Sequence, residues 1–421
     1  MGYLDIVKNI FIELQKQVSC QSLKKKYFSH NETAFTRKRN MPLTQLVAFL
    51  LQRTTNGLDI KLDKWFSKWM PKDSLPVSRQ AISKARQLLP EAIFHDFLNL
   101  SAKEFMGNII SKKNWNGYQI YAIDRTDLQL PTTPETLKEF GNMKSRFGTQ
   151  IAGASASLLY DVLNDVILDG VICPYRTNER NMAKTLLENT VFRNSQDNCI
   201  VVFDRGYPAY EFLGYLFDNN IKFVIRVKEQ MSRLRNTNTE DDEVYRKCGS
   251  KCRTLRTIHL RLENGTEEYL ITNLSKEEIA HVAFKELYFL RWGIEGKYKE
   301  IKSRFEIENF SGKKSICIKQ DFYINLFLSN ICSLLKQEID DESDNDEGLT
   351  RIYQTRKTFV IYRVNNIISG LVLKQVELVE ELVNLIECCK KKRSQIRCNR
   401  KCERNLNINR RKYSNNYKSC I

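Results

Sequence analysis

Cys199-Ile200-Val201-Val202-Phe203-Asp204 is the stretch on which the reading of the fold turns. Five apolar residues in a row, with no polar alternation, fit a strand covered on both faces, as at the centre of a parallel sheet. The run ends in an acid and then breaks into the turn Arg205-Gly206-Tyr207-Pro208. A carboxylate at the carboxyl end of such a strand stands where α/β sheets form ligand sites. A structural aspartate that only shapes the turn fits the same residues.

Working outward, Tyr118 to Asp124 is a second strand-like run that also ends in an acid. Ile151 to Leu159, Val162 to Val171 and Phe223 to Val227 add further strands, with a helix from about Asn178 to Leu187 between them. Strands first and helices interleaved afterwards predict a mixed α/β sheet. Lys228 to about Leu274 reads as an insertion: an acidic loop at Glu240-Asp241-Asp242-Glu243, then a hairpin of His259–Leu262 and Tyr269–Thr272 around Asn264-Gly265. Helical pattern resumes at Lys276 and runs to Leu335, and a second acidic loop, Glu338 to Glu347, marks a boundary.

The first ~110 residues read as helices by apolar spacing. Leu43, Leu46, Val47, Leu50 and Leu51 follow Pro42 at helical intervals. Ser78 caps a helix carrying Ile82, Ala85, Leu88 and Leu89, which Pro90 stops. Arg79, Lys84 and Arg86 give that helix either a solvated basic face or a DNA-reading or dimerisation surface. The domains expected are 1–114 (helical, DNA binding or dimerisation), 115–345 (the α/β core, with the insertion at about 228–275), 346–389 (helical) and 390–421 (a basic tail).

The net charge of +17 on 421 residues favours a polyanionic partner, because Lys and Arg set against phosphates release condensed counterions. Residues 390–421 hold twelve bases and one acid, Glu403, and so supply +11 of the excess. A hydrophobic share of 42% rules out wholesale disorder. No apolar run reaches the ~18–20 residues needed to span a bilayer, and Met1 to Asp5 does not open a signal peptide. A cytoplasmic protein with reduced thiols is expected. The pairs Cys248/Cys252 and Cys398/Cys402 lack the tighter knuckles and His partners of zinc sites, and read as incidental thiols.

Tyr288, Arg291, Glu295 and Lys302 follow at spacings of three, four and seven. On one continuous helix they form a stripe roughly 60° wide beside the apolar face of Leu287, Leu290, Ile294, Tyr298 and Ile301. That border position would bring a carboxylate beside a sheet with cations flanking it; an amphipathic helix with border salt bridges predicts much the same. Phosphodiester chemistry passes through a crowded anionic state that two divalent ions stabilise. Hard cations take oxygen ligands, so acids from separate segments suit them and cysteines do not.

These residues resemble the DDE transposases of bacterial insertion sequences, in the IS-four-like branch marked by a Tyr-x2-Arg-x3-Glu-x6-Lys segment. Tyr288, Arg291, Glu295 and Lys302 match that pattern in full; Leu290 to Glu295 and Asn309-Phe310-Ser311-Gly312 are similar to the wording around it. Asp204-Arg205-Gly206-Tyr207 resembles the second block, and Asp124 with Thr126, Leu128 and Leu130-Pro131 the first. The resemblance covers roughly Tyr118 to Asn330, with a weaker echo in Phe35 to Leu98. Arg125 stands where the first block usually has glycine, which raises the alternative of a catalytically impaired or domesticated DNA-binding protein; Asp127 is a poorer-placed substitute for the first acid.

The resemblance implies an RNase H-like α/β core with a β-rich insertion, and cut-and-paste transposition on terminal inverted repeats and target DNA by a DNA-bridged homodimer near the nucleoid. It implies that Asp124, Asp204 and Glu295 are the catalytic acids and hold two Mg²⁺ ions, with Mn²⁺ as a substitute. Tyr288, Arg291 and Lys302 would position DNA phosphates, Arg by its fork and Lys as a point charge. For Trp292 it implies base stacking, whereas the usual burial of aromatics favours a core position.

Overall fold

The computed structural model describes residues 2–29, 33–36, 40–53, 57–71, 74–108, 112–143, 148–194, 198–228, 239–263, 265–344 and 353–395. Asn264, Cys398, Cys402 and most of the basic tail lie outside the described residues. In chain order come α1 (Tyr3–Gln17), α2 (Cys20–Tyr27), α3 (Leu43–Leu51), α4 (Leu58–Trp69), α5 (Arg79–Gln87) and α6 (Ala92–Gly107). Next are β1 (Gln119–Gln129), α7 (Pro134–Phe140), β2 (Asn142–Met143), β3 (Ile151–Asp161), β4 (Val166–Pro174), α8 (Glu179–Leu187) and α9 (Thr190–Arg193). They are followed by β5 (Cys199–Phe203), α10 (Tyr210–Asp218), β6 (Lys222–Val227), β7 (Asp241–Cys248), β8 (Lys251–Arg261) and β9 (Glu267–Thr272). The chain continues with α11 (Phe284–Phe289), α12 (Trp292–Ser303), α13 (Ser315–Asp344), β10 (Tyr353–Thr355), α14 (Lys357–Val372), α15 (Leu378–Lys390) and β11 (Arg393–Gln395).

Two compact units result: Lys112–Asp127 with Ala154–Glu300, and Met1–Ser111 with Leu128–Gly153 and Ile301–Ile421. The first is built on a mixed sheet in the order β4-β3-β1-β5-β6-β9-β8-β7, and β2 pairs with the opening residues of β3. β1, β5 and β6 are parallel, and β3 and β4 are antiparallel. Val162 N–H donates to Ile120 O at 3.1 Å and Leu130 N–H to Ala152 O at 2.9 Å, the converging pattern of an antiparallel β1–β3 pair. This order and sense make an RNase H-like core, with α8 packed on β4 and α10 on β6 and β7. All five residues of β5 are fully buried, as its unbroken apolar run requires of a strand covered on both faces.

The insertion lengthens the same sheet. The expected hairpin is β8–β9, with His259 opposite Tyr269. The acidic stretch read as a loop is instead the start of β7, where Asp241 pairs in register with Ile258. The buried Arg256 grips the Asp241 carboxylate with Nε at 2.9 Å and Nη2 at 2.8 Å, so a charge pair holds what apolar alternation usually signals. Cys248 and Cys252 flank the β7–β8 turn as free thiols, one buried and one exposed.

In the helical unit the 30-residue α13 is the axis, with α1, α6 and α14 packed against it. Its second half corrects the other acidic loop: the helix runs on through Glu338 to Asp344. Ile339 is fully buried and Lys336 Nζ pairs with Asp340 at 2.5 Å across one turn, so the core side keeps the helix going. Ser78 caps α5 as expected, its Oγ accepting Ala81 N–H at 3.2 Å.

Arg86 corrects the solvated-face reading of α5. It is 5% exposed and donates to Asp321 (2.9 Å), Gln320 Oε1 (2.7 Å), Ser311 Oγ (2.6 Å) and Cys317 O (2.9 Å). Removing one partner of a buried pair strands the other charge, so Arg86→Ala is expected to lower stability by about 3–5 kcal/mol. Denaturant unfolding measures it, and a loss under about 1 kcal/mol would mean that the network does not hold the fold.

Candidate active site

Strand register sets the site. The β1–β5 ladder ends with Ile123 opposite Phe203, so Asp124 and Asp204 come one residue later, side by side on adjacent parallel strands. Asp204 follows the end of β5, whereas Asp124, expected at a strand end, lies mid-strand because β1 runs on to Gln129 beside β3. Such strands lie about 4.8 Å apart. Asp124 is anchored through its backbone: its carbonyl accepts from Ser157 Oγ (2.8 Å) and Tyr298 Oη (2.6 Å). Its carboxylate Oδ1 takes the Arg125 N–H at 2.8 Å.

The third segment is where the helical wheel needs correction. The helix is broken between α11 and α12. Arg291 N–H bonds Tyr288 O (3.1 Å), Gly293 N–H bonds Leu290 O (2.9 Å) and Ile294 N–H bonds Arg291 O (3.1 Å), all three-residue closures of 3₁₀ type. A Cβ on Gly293 would lie 3.3 Å from the Val162 side chain, so glycine lets this tightened turn close against the segment after β3. Tyr288 and Arg291 therefore point inward, each 2% exposed, instead of standing at the border of the face. Glu295 begins α12 with its side chain 43% exposed, and Lys302 sits in the last turn of that helix.

Arg291 draws the acids together. Its Nη2 donates to Glu295 Oε1 at 2.9 Å and its Nη1 stands 4.0 Å from Asp124 Oδ2. Tyr288 Oη lies 3.5 Å from Asp204 Oδ1. Burial pushes the Asp124 carboxyl up to about 6; Arg291 and the Arg125 N–H pull it back, and the charges of Asp204 and Glu295 raise it further. The three acids singled out in the sequence thus share one electrostatic neighbourhood. Arg291 Nε and Nη1 are buried donors with no hydrogen-bond partner, a cost unless another acceptor arrives.

The donor set suits a hard divalent cation, since it consists of carboxylate oxygens, two of which raise the proton affinity of the third, Asp124. Among the described residues no three His, Cys, Asp or Glu side chains are gathered closely enough to hold a metal ion. Glu295 is engaged with Arg291 and would have to change partner to join the two aspartates.

Three further residues escaped the sequence reading. Tyr298 was counted only as apolar, yet its hydroxyl holds the Asp124 carbonyl. Glu179 stands against the turn after Asp204: a Cβ on Gly206 would lie 2.2 Å from its Oε1. Arg180 Nη1 donates to Gly206 O at 3.1 Å, tying the same turn to α8. Arg125 occupies ordinary strand backbone without a positive φ, its Nη1 3.4 Å from Thr177 O, so this position demands no glycine. Asp127, the substitute acid, accepts from Ser155 Oγ at 3.0 Å. Trp292 is 42% exposed, with the Arg291 guanidinium 4.9 Å from its ring centre, which overturns the core position.

Fold and site together describe an RNase H-like α/β protein with two acids side by side where its central β1–β5 ladder ends. Residues 115–331, more than half of the chain, match the family described as Transposase DDE domain, and the chain belongs to that family. It is similar to "Putative transposase InsZ" of Escherichia coli (strain K12), at 26% identity over 139 residues. That match takes in 32% of this chain and 45% of the relative's length. A solved structure with a related outline is the cryo-EM piggyBac transposase synaptic complex with hairpin DNA, with a TM-score of 0.47 and 12% identity over 91% of this chain and 85% of that one.

Proposed function

We propose that the chain is a transposase of the IS-four-like, Tyr-Arg-Glu-Lys branch that moves an insertion sequence by cut-and-paste: it cleaves the element's ends, forms and resolves hairpins there, and joins them to target DNA. The observation that carries the reading is the register placing Asp124 beside Asp204, with Arg291 linking Asp124 to Glu295. Asp124, Asp204 and Glu295 would hold two Mg²⁺ ions, or Mn²⁺. When bound, such a pair activates the attacking hydroxyl and stabilises the leaving oxygen.

The chain's own residues do the rest. Arg291 offers Nε and Nη1, which have no hydrogen-bond partner, to a substrate phosphate, while Glu295 leaves Nη2 to join the aspartates. Tyr288 and Lys302 steady neighbouring phosphates. Trp292, exposed beside Arg291, stacks on a displaced base. Terminal inverted repeats are the substrate, a DNA-bridged homodimer the working form, and the nucleoid the place of action. No described helix is long and apolar enough to cross a membrane.

The test is to incubate the purified chain with the terminal repeats of its own element, Mg²⁺ and supercoiled target. Nicks, then hairpin ends, then joined product are expected; binding without any cut would leave only the impaired, DNA-binding alternative. Trp292→Ala removes the contact with the buried Arg291 and should lower stability by about 0.5–1 kcal/mol. It should slow hairpin formation by about tenfold, given about 1–3 kcal/mol per stacked base. Unchanged hairpin kinetics on gels would remove the stacking role.

A further inference from the structure

A cavity of about 280 Å³ lies within the helical unit, between the end of α3, the helices α4 and α5, the 310–313 loop and the start of α13. Its floor is ionic. Arg53 and Arg86 both face Asp321, whose carboxylate lies 2.9 Å from Arg86 Nη2 and 3.8 Å from Arg53 Nη1. That carboxylate also accepts the Ser311 N–H at 2.7 Å and the Ser311 hydroxyl at 2.8 Å. Arg53 spends Nη2 on the carbonyls of Phe305 (3.3 Å) and Glu306 (3.5 Å), and its Nη1 is a buried donor with no hydrogen-bond partner. Burial holds the Arg53 guanidinium below its ordinary value; Asp321 and Glu306 offset this and Arg86 adds to it.

Lys61, Arg79 and Lys313 also line the cavity, against Asp59, which is already paired with Arg79 at 3.2 Å. The remaining wall is largely apolar and includes Phe49, Ile82 and Phe310. Basic residues therefore outnumber acids around a space much larger than one water, which takes up about 30 Å³, and one buried guanidinium edge is left over. A planar fork with a free donor recognises phosphate or carboxylate, and lysine point charges beside it favour the more highly charged phosphate. The apolar wall leaves room for the sugar or base that a phosphate ester carries.

We propose that this cavity is a phosphate-ester site, with Arg53 as its buried anchor and Lys61 and Lys313 as its outer cations. The ligand is either a backbone phosphodiester of nucleic acid or a free phosphate ester, and the site works independently of the acids around Arg291.

The experiment uses the full chain and three probes: inorganic phosphate, a nucleoside 5′-monophosphate and a random-sequence DNA duplex. Thermal unfolding at matched ionic strength should show saturable stabilisation by phosphate and the monophosphate over chloride. Lys61→Gln with Lys313→Gln should weaken that binding about tenfold with an unchanged circular-dichroism spectrum, and Arg53→Lys should weaken it further. If the source is a DNA backbone, the double variant also loses duplex affinity and its log K against log[salt] slope falls by about one to two. If the source is a free ester, duplex binding is unchanged while monophosphate binding drops. Stabilisation by phosphate no greater than by chloride, or identical binding of all probes by wild type and the double variant, overturns the proposal. The double variant keeps the test open even where Arg53→Lys fails to fold.

Discussion

Asp204→Asn is expected to cut cleavage of the element's ends by about 10³-fold or more, on the scale of losing a preorganised charge aimed at the reacting phosphate. Asn keeps the shape and hydrogen-bonding reach of the side chain, so the partially exposed turn after β5 should fold unchanged. Glu295→Gln should do similar damage, and the double variant little more, because groups that act as one unit lose their function together. Asp127→Asn is the control: that carboxylate accepts from Ser155, and cleavage should stay within about tenfold of wild type. Gel-resolved single-turnover cleavage, with circular dichroism to check folding, reads all four. An Asp204→Asn protein that still cuts within tenfold of wild type would remove the proposed role of the Asp124 and Asp204 pair.

Asp124→Asn carries the second large effect, with opposite signs for activity and stability. In the metal-free protein the folded Asp124 carboxyl titrates at about 6, above its ordinary 3.8, chiefly through burial. A raised carboxyl favours the protonated folded form, so its stabilising effect is complete below about 3.8 and is lost as pH rises through about 6. At pH 8 the ionised group therefore costs about 1–3 kcal/mol, the lower end allowing for its 23% solvent exposure. Asn keeps the acceptor for the Arg125 N–H and carries no charge. In chelator at pH 8, Asp124→Asn should melt several degrees above wild type, with the gap closing towards pH 4. Mg²⁺ should raise the wild-type melting temperature and leave the variant's unchanged, and wild-type cleavage should fall as pH drops through about 6. A variant melting below wild type at pH 8 would show that Asp124 is not a strained charge.

Much of the core was legible because its signals are local. The run at Cys199–Phe203 has one reasonable home, and the acid after it marks a strand end. The acid after Ile123 marks only the end of the β1–β5 ladder, because β1 runs on to Gln129. Ser78 announced a helix start through a hydrogen bond three residues long. Where the reading failed, distant charges replaced local pattern. Asp241 and Asp242 form a strand because Arg256, from the neighbouring strand, holds the first of them. Arg86 on a basic helix surface gave no hint of Asp321, 235 residues away in sequence. The tightened turn at Leu290–Arg291 depends on Gly293 meeting Val162, a contact no spacing rule encodes.

The sequence by itself determined the central strands and the two acids that follow their apolar runs, because apolar runs and turn residues act over a few residues. Only the tertiary structure decided which charges are buried, that Tyr288 and Arg291 turn inward while Trp292 turns out, and that a basic cavity exists beneath α5. Those outcomes depend on partners far away in the chain. The stability of a buried charge is set by its neighbours in space, not in sequence.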